Sequence, residues 1–422
     1  MRYPLSLLLL ALLCIFSCSD DDSIDMDSDA MDEEMVDELI LDDFIWERLT
    51  DTTSTIASRE SYFVQHPIFF DDLVIYHNPK LNGFIALDAA SGAEVWNNYG
   101  LVETGFLFTE PKIHNGLLYF IDNSRQKLII INAIDGEGIL EYESFFGTKV
   151  NELSIFEDQL YIATQYDDEE NYTEFTTVPV KDINTLVNDD WPIILEDDSN
   201  LTDGTKLLFH KNNQGETLII FSTSNSDKHV NAYNIDQETF EWRFSSEPIS
   251  GEVSMINDDM HIYFAKGFDL FCLDINTGNI IWKNESTFFN DLSSGLYLKD
   301  NTLIALGTEA YSFNTTNGNQ NWRKDNFATE DFGSILIRSK ESNAAIYQDH
   351  IYFYKRREQS YLLKMDIFTG DIDHFYLADS REVDGLDTPL QTLDFDSSDF
   401  KMSDDGVIYS HDQYRLFAFK AP

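Results

Sequence analysis

The sequence predicts an all-β protein, a β-propeller of eight four-stranded blades that is closed by the N-terminal strand. Three observations lead to this prediction: a strand–turn–strand motif recurs every 40 to 54 residues, a second hairpin runs in step with it, and the last repeat stops one strand short. This spacing is typical of propeller blades. The strand-like segments are rich in Phe and Tyr, and no long segment after the N-terminus keeps a helical period.

The recurring motif places a turn between two strands and a tryptophan in the second strand. Residues 83–96 read GFIALDAASGAEVW, and residues 269–282 read DLFCLDINTGNIIW. Asp88, Asp274 and Asp366 open such turns, and a glycine follows four residues later, where a positive φ is expected. Packing between neighbouring blades is the expected role of the tryptophans. The motif assigns structural roles to the glycines Gly92, Gly136, Gly278, Gly318 and Gly370 and to the tryptophans Trp96, Trp191, Trp242, Trp282 and Trp322.

The second hairpin has a short turn that is rich in Asp, Asn and Gly. Residues 68–76 read IFFDDLVIY and residues 346–354 read IYQDHIYFY, and six further segments share this pattern. Such turn residues supply the local hydrogen bonds and the backbone freedom that hairpins need. Two hairpins in each repeat make a four-stranded blade.

The ends of the chain predict how the ring closes. The last repeat stops after Lys420, before its fourth strand, while an unmatched strand that contains Trp46 precedes the first repeat. We expect this N-terminal strand to complete the last blade, because an open sheet edge invites pairing with other chains. Some copies are imperfect: Leu140 and His374 stand at tryptophan positions, and Glu238 replaces a glycine. Seven blades remain the alternative, since residues 171–195 are irregular.

The motif resembles the repeat of the quinoprotein-like (PQQ-like) β-propellers over nearly all of residues 44–422. That family includes quinoprotein dehydrogenases and the propeller lipoprotein of the outer-membrane β-barrel assembly machinery. The resemblance implies the propeller fold for this chain. It does not select an activity, because one fold hosts many functions.

The N-terminus predicts a lipid anchor. An apolar run from Leu5 to Phe16 ends in Ser17 and Cys18, and this resembles a bacterial lipoprotein signal peptide over residues 1–18 with Cys18 as the lipidated residue. An ordinary cleaved signal is the alternative. Residues 19–43 hold 13 acidic residues and no Lys or Arg, which predicts a disordered tether. The Ser-Asp-Asp-Asp segment after Cys18 resembles a surface-export signal, so we expect an outer-membrane lipoprotein on the cell surface, or alternatively on the periplasmic face.

The net charge limits the classes of partner, and the cysteine content limits the chemistry that the chain can perform. The formal net charge of −48 makes nucleic acid and anionic lipid head groups poor partners, since both require a basic surface. Three cysteines are present, and with Cys18 lipidated the mature chain retains only Cys272, in an apolar strand, so we expect a buried core thiol and no disulfide. The nine histidines form no metal-binding pair. Acidic loops at residues 167–170, 189–190 and 394–399 predict plain surface turns, with weak calcium binding as the alternative.

Two hypotheses for the function follow. The first is a monomeric, non-catalytic, lipid-anchored propeller that needs no cofactor and binds an unidentified protein or extracellular ligand. The second is a PQQ-dependent dehydrogenase with PQQ and calcium. In such dehydrogenases the resemblance implies two adjacent cysteines beside the cofactor, and here Cys272 has no second thiol to pair with. No CxxCH haem motif is present either. The sequence therefore favours the non-catalytic scaffold.

Overall fold

The computed structural model describes the following residues, and every structural statement below concerns these ranges: 37–39, 44–49, 67–78, 82–101, 109–122, 127–142, 149–168, 173–182, 193–197, 206–223, 229–245, 254–266, 269–285, 295–307, 309–324, 344–356, 360–377, 400–411 and 415–422. They form strands, turns and short connections, which confirms the all-β prediction. No helix in these ranges could cross a membrane.

Two strands precede the first blade, and the first four blades follow in chain order. Each of these blades is one antiparallel sheet of four consecutive strands. The strands are β1 (Asp37–Leu39) and β2 (Phe44–Leu49); in blade one β3 (Ile68–Phe70), β4 (Leu73–Asn78), β5 (Gly83–Asp88) and β6 (Glu94–Asn98); in blade two β7 (Lys112–His114), β8 (Leu117–Asp122), β9 (Lys127–Asn132) and β10 (Gly138–Tyr142); in blade three β11 (Lys149–Phe156), β12 (Gln159–Asp168), β13 (Thr173–Asp182) and β14 (Ile193–Asp197); in blade four β15 (Leu208–Lys211), β16 (Thr217–Thr223), β17 (His229–Asn234) and β18 (Thr239–Ser245).

The remaining four blades repeat this arrangement, with one change in blade eight. Its first three strands come from the C-terminus, and its fourth is β2 from the N-terminus. The strands are β19 (Met255–Asn257), β20 (His261–Lys266), β21 (Asp269–Asp274) and β22 (Ile280–Glu285) in blade five; β23 (Gly295–Lys299), β24 (Thr302–Leu306), β25 (Ala310–Asn314) and β26 (Gln320–Lys324) in blade six; β27 (Ala344–Tyr347), β28 (His350–Arg356), β29 (Ser360–Asp366) and β30 (Ile372–Leu377) in blade seven; β31 (Lys401–Met402), β32 (Val407–His411) and β33 (Arg415–Lys420) in blade eight.

The eight sheets confirm the predicted blade number and closure. β2 pairs antiparallel with β33, and Trp46 lies opposite Ala418. The irregular segment, residues 171–195, is the reason for the seven-blade alternative, and it contributes β13 and part of β14 to the four-stranded sheet of blade three. A ring that borrows its last strand from the other end of the chain cannot open without breaking a sheet, so the closure links the two termini mechanically.

The hydrophobic core is divided among the junctions between neighbouring blades. Successive side chains of a strand point to opposite faces of its sheet, so the middle strands of a blade pack on both neighbours. Cys272 and Trp282 of blade five pack with Phe313 of blade six. Trp46 of blade eight packs with Tyr76 of blade one. Clusters of this kind join all consecutive blades, blade eight to blade one included, and the blades therefore form a closed ring.

Cys272 is the buried core thiol that its apolar strand predicts. The side chain is free and buried. Burial, together with the negative charge of Asp258, raises the pKa of the thiol to about 12. A thiol in this environment stays protonated at neutral pH and is a poor nucleophile.

A fifth strand extends blade seven. β1 pairs in parallel with the outer strand β30, with Asp37 opposite Phe375 and Leu39 opposite Leu377. The prediction of a disordered tether over residues 19–43 did not anticipate this strand. An acidic composition argues against a packed core, but backbone pairing with an open sheet edge requires no core.

His77 in β4 is a buried titratable group without a polar partner. The side chain is 1% exposed, its ring centroid lies 5.1 Å from that of Phe84, and neither ring nitrogen has a hydrogen-bond partner among the described residues. Burial lowers the pKa of His77 from 6.5 to about 3. The folded-state pKa is depressed, so below pH 6.5 the unfolded chain binds a proton that the folded chain does not. The stability that is present above pH 6.5 is lost as the pH falls towards 3.

We predict that replacing His77 with leucine removes part of this pH dependence. The wild type should lose about 2 kcal/mol of unfolding free energy from this group between pH 6.5 and pH 5. The His77→Leu variant should lose correspondingly less over the same interval. Urea unfolding at several pH values measures the difference. Parallel pH profiles for the two proteins would contradict the assignment.

Candidate interaction surface

The predicted turn motif adopts the same geometry in blades one, two, five, six and seven. The carboxylate of the turn-opening aspartate accepts a hydrogen bond from a backbone N–H three residues later, at 2.8 Å for Asp88, 2.8 Å for Asp274 and 2.7 Å for Asp366. The glycine that follows has φ between 67° and 74° in blades one, two, five, six and seven. The predicted positive φ is confirmed, and it holds even for Glu238 in blade four, at 55°. The motif is therefore a backbone device that fixes the turn.

Each turn glycine also receives a tryptophan from the preceding blade. A Cβ atom on these glycines would lie 2.5 to 2.9 Å from the indole ring, far inside van der Waals contact. The indole N–H donates to the carbonyl oxygen of the residue after the turn opener, at 2.7 to 3.0 Å. The pairs are Trp46 on Gly92, Trp96 on Gly136, Trp242 on Gly278, Trp282 on Gly318 and Trp322 on Gly370. The recurrent residues thus build the junctions between blades.

A β-bulge that sequence reasoning missed aims each tryptophan at its glycine. In the outer strands of six blades one extra residue stands directly before the eighth position of the motif. The extra residues are Ile45, Val95, Ile139, Glu241, Ile281 and Asn321. A bulge bends its strand and redirects the side chain that follows. Four of the six are β-branched apolar residues, but Glu241 and Asn321 are polar, so no single residue type marks the bulge in the sequence.

Both turns of a blade lie at the same end, which we call the turn face. The residue after each turn opener donates its backbone N–H to the first turn of the same blade, at 2.8 Å from Ala89 to Asp72 and at 2.9 Å from Ile275 to Met260. Equivalent bonds occur in blades two, four, six, seven and eight. These bonds make the turn face a set of short, mutually braced turns. Such a surface loses little conformational entropy when a partner binds.

The turn face is acidic. Every one of the eight blades carries at least one exposed carboxylate on a described turn. They belong to Asp71, Asp72, Asp135, Glu137, Glu157, Asp158, Asp236, Glu238, Asp259, Asp300, Asp349, Asp371, Asp404 and Asp405. Three lysines pair here: Lys420 with Asp405 at 2.8 Å, Lys211 with Glu157 at 2.7 Å and Lys324 with Asp371 at 3.5 Å.

Local hydrogen bonds keep carboxylates of the turn face ionised. The ammonium group of Lys420 lowers the pKa of Asp405, and the hydroxyl of Ser91 lowers that of Asp88. For Asp366, burial alone would raise the pKa, but hydrogen bonds from the backbone of Thr369 and Phe368 bring it below its ordinary value. Exposed apolar side chains interrupt these charges at Ile134, Met260 and Phe368. The surface therefore offers fixed negative charge with scattered apolar contacts.

Several predicted features lie outside the described residues. Cys18, Trp191 and the acidic residues at 169–170, 189–190 and 394–399 belong to this group. Within the described ranges, no group of three or more His, Cys, Asp or Glu side chains could hold a metal ion.

Comparison with known proteins supports the fold. Residues 213–373 match the family model described as outer membrane protein assembly factor BamB. The computationally designed Ika8 protein is 12% identical with a TM-score of 0.55, over 86% of this chain and 97% of that one. BamB from Moraxella catarrhalis is 11% identical with a TM-score of 0.51, over 90% of this chain and 97% of that one. No curated protein matches.

The comparisons and the strand topology agree on the class of fold. The fold is a β-propeller, and the predicted resemblance of its repeat to that of the PQQ-like propellers is confirmed. Residues 213–373 carry repeats of the kind found in the outer-membrane assembly factor BamB. At 11% and 12% identity, the likeness to the solved structures shows the fold alone.

We predict that glycine-to-alanine substitutions distinguish the two requirements at a turn glycine, which are a positive φ and room for the tryptophan ring. Gly278 has φ 68°, and its added Cβ would lie 2.6 Å from the ring of Trp242, whereas Gly100 has φ 79° and nothing within 4 Å. Gly100→Ala should cost about 1 kcal/mol, the backbone term alone. Gly278→Ala should cost about 2 to 4 kcal/mol, because overpacking against the indole adds to that term. Denaturant unfolding measures both losses, and equal losses would show that the contact with Trp242 contributes nothing.

Proposed function

We propose that this protein is a non-catalytic binding scaffold, anchored by a lipid on Cys18 to the outer membrane and displayed on the cell surface. The observation that carries the proposal is a division of labour among residues. The recurrent residues of the motif form the contacts between blades. The turn face is charged, and hydrogen bonds join its turns to one another. Propellers of this kind present many turns on one surface without needing a single pocket.

The turn face is our candidate for the binding surface. Its carboxylates are held ionised by hydrogen bonds, and Ile134, Met260 and Phe368 add exposed apolar area between them. Protein interfaces combine such apolar contacts with polar surroundings. A basic partner would be attracted over a distance, and its association rate would fall as salt is added. The match of residues 213–373 to an outer-membrane assembly factor supports a role in protein binding.

The dehydrogenase alternative finds no support among the described residues. Cys272 is buried in the junction between blades five and six, and its thiol is protonated. A cofactor that stacks on paired cysteines would need a second thiol beside it, which the mature chain lacks. Substrate-dependent dye reduction by the purified protein, supplied with PQQ and calcium, would overturn the non-catalytic part of the proposal.

The anchor has a direct test. Cys18→Ala should shift the protein from the membrane fraction to the soluble fraction or leave it unprocessed, because an acylated cysteine is what holds it at the bilayer. Cys14→Ala, in the same apolar segment, is the matched control and should remain in the membrane fraction. Fractionation followed by immunoblotting measures both. A Cys18→Ala protein that is processed normally and stays membrane-bound would contradict the lipid anchor.

A further inference from the structure

The outer strand of each blade has an edge whose backbone N–H and C=O groups can pair with another strand. Proteins blunt such edges with bulges, which twist the strand and interrupt its pairing. Six of the outer strands carry a bulge beside the motif tryptophan or its replacement, as described above. The bulge therefore has two effects. It directs the tryptophan inwards, and it makes the outer edge a poor template for another strand.

Blade seven lacks this protection. β30 pairs with β29 in unbroken register, from Met365 opposite Ile372 to Tyr361 opposite Tyr376. This is a blade in which the motif has His374 in place of the tryptophan, so no indole has to be redirected. Blade three is also unbulged between β13 and β14, and it ends in Glu196 and Asp197, charged residues of the kind that discourage pairing at an edge.

The regular edge of blade seven is the one that β1 occupies. The three residues of β1 pair in parallel with the last three residues of β30. Within the described chain, no other blade has a fifth strand. A regular edge and an added strand thus coincide in the same blade.

We propose that the outer edge of blade seven is a docking site for an extended peptide, and that residues 37–39 of the same chain are its resident ligand. Three residues form few ladder bonds, and parallel pairs are slightly weaker than antiparallel ones. What holds β1 in place is its effective concentration. Only residues 40–43 separate it from β2, which is fixed in blade eight, and a short linker of this kind gives millimolar effective concentrations. Any competing extended segment has to displace the docked strand. This inference does not depend on the lipid anchor or on the scaffold role.

The test uses the mature full-length chain with prolines at positions 38 and 39. Neighbouring strand residues direct their N–H groups to opposite edges, so one of Glu38→Pro and Leu39→Pro must remove a donor that faces β30. Ser28→Pro, in the same segment but outside β1, is the matched control. Amide hydrogen exchange at residues 375–377 should be at least tenfold faster in the double variant than in the wild type or the control. Unchanged exchange in β21 would show that the propeller remains folded.

A synthetic peptide with the sequence of residues 33–42 provides the second arm. Labelled with a fluorophore, it should bind the double variant and slow the exchange of residues 375–377 again, while binding wild type only at concentrations that rival the tethered strand. The same peptide with prolines at the positions of Glu38 and Leu39 should not bind. Equal exchange in all proteins, or peptide binding without protection of β30, would overturn the proposal. Protection that rises with protein concentration would assign the edge to a second copy and would also overturn it.

Discussion

Among the described residues, five of the eight blade junctions are built on one contact, the packing of a tryptophan from one blade on the turn glycine of the next. The contact has two parts that cannot be varied separately. The glycine must lack a Cβ because the indole lies where a Cβ would stand, and the indole N–H must reach the carbonyl oxygen beside the turn. The turn geometry and the bulge in the outer strand both position the groups that make this contact. Trp46 makes the same contact from the N-terminal strand, so closure uses the chemistry of the other junctions.

This constraint explains why the fold could be predicted from the sequence. In blades one, five and six the turn glycine lies four positions before the tryptophan, and this fixed spacing can be recognised in the sequence. The N-terminal strand could be assigned to blade eight because Trp46 stands outside the repeats, while the last repeat stops before its tryptophan position. Where the pattern weakens, at Leu140 and His374, other core residues fill the junction, and Leu140 packs in the cluster between blades two and three.

Other features could not be predicted, for identifiable physical reasons. The bulge depends on backbone register, and the residues at that position range from Ile45 to Glu241. The pairing of β1 depends on the shape of an edge elsewhere in the chain, while its own acidic composition favours disorder. Glu238 stands at a glycine position of the motif, and it still adopts a positive φ because the surrounding turn requires it. For the candidate surface, the sequence showed acidic hairpin turns but not that both turns of each blade meet at one end.

The separation between junctions and turn face has a consequence for function. Apart from the opening residue and the glycine, which belong to the junctions, the exposed turn side chains can change without weakening the ring. The turn face of this chain combines carboxylates of lowered pKa with exposed apolar side chains, while the thiol of Cys272 is enclosed in a core. In the proposed scaffold, specificity for a partner would belong to the exposed turn residues, while the junction residues of the repeat stabilise the ring.

The most direct measurement of the central contact is hydrogen exchange at the tryptophan indole N–H groups, followed by NMR on protein with labelled tryptophan. In the intact chain, Trp46, Trp96, Trp242, Trp282 and Trp322 should all exchange far more slowly than free indole, because each donates to a backbone carbonyl. In the variant Gly92→Ala, the added Cβ would displace Trp46, whose ring now lies 2.5 Å from that position. Its exchange should accelerate while Trp282, on a distant junction, stays protected. Rapid exchange of all five in the intact chain, or an unchanged rate for Trp46 in Gly92→Ala, would contradict the account.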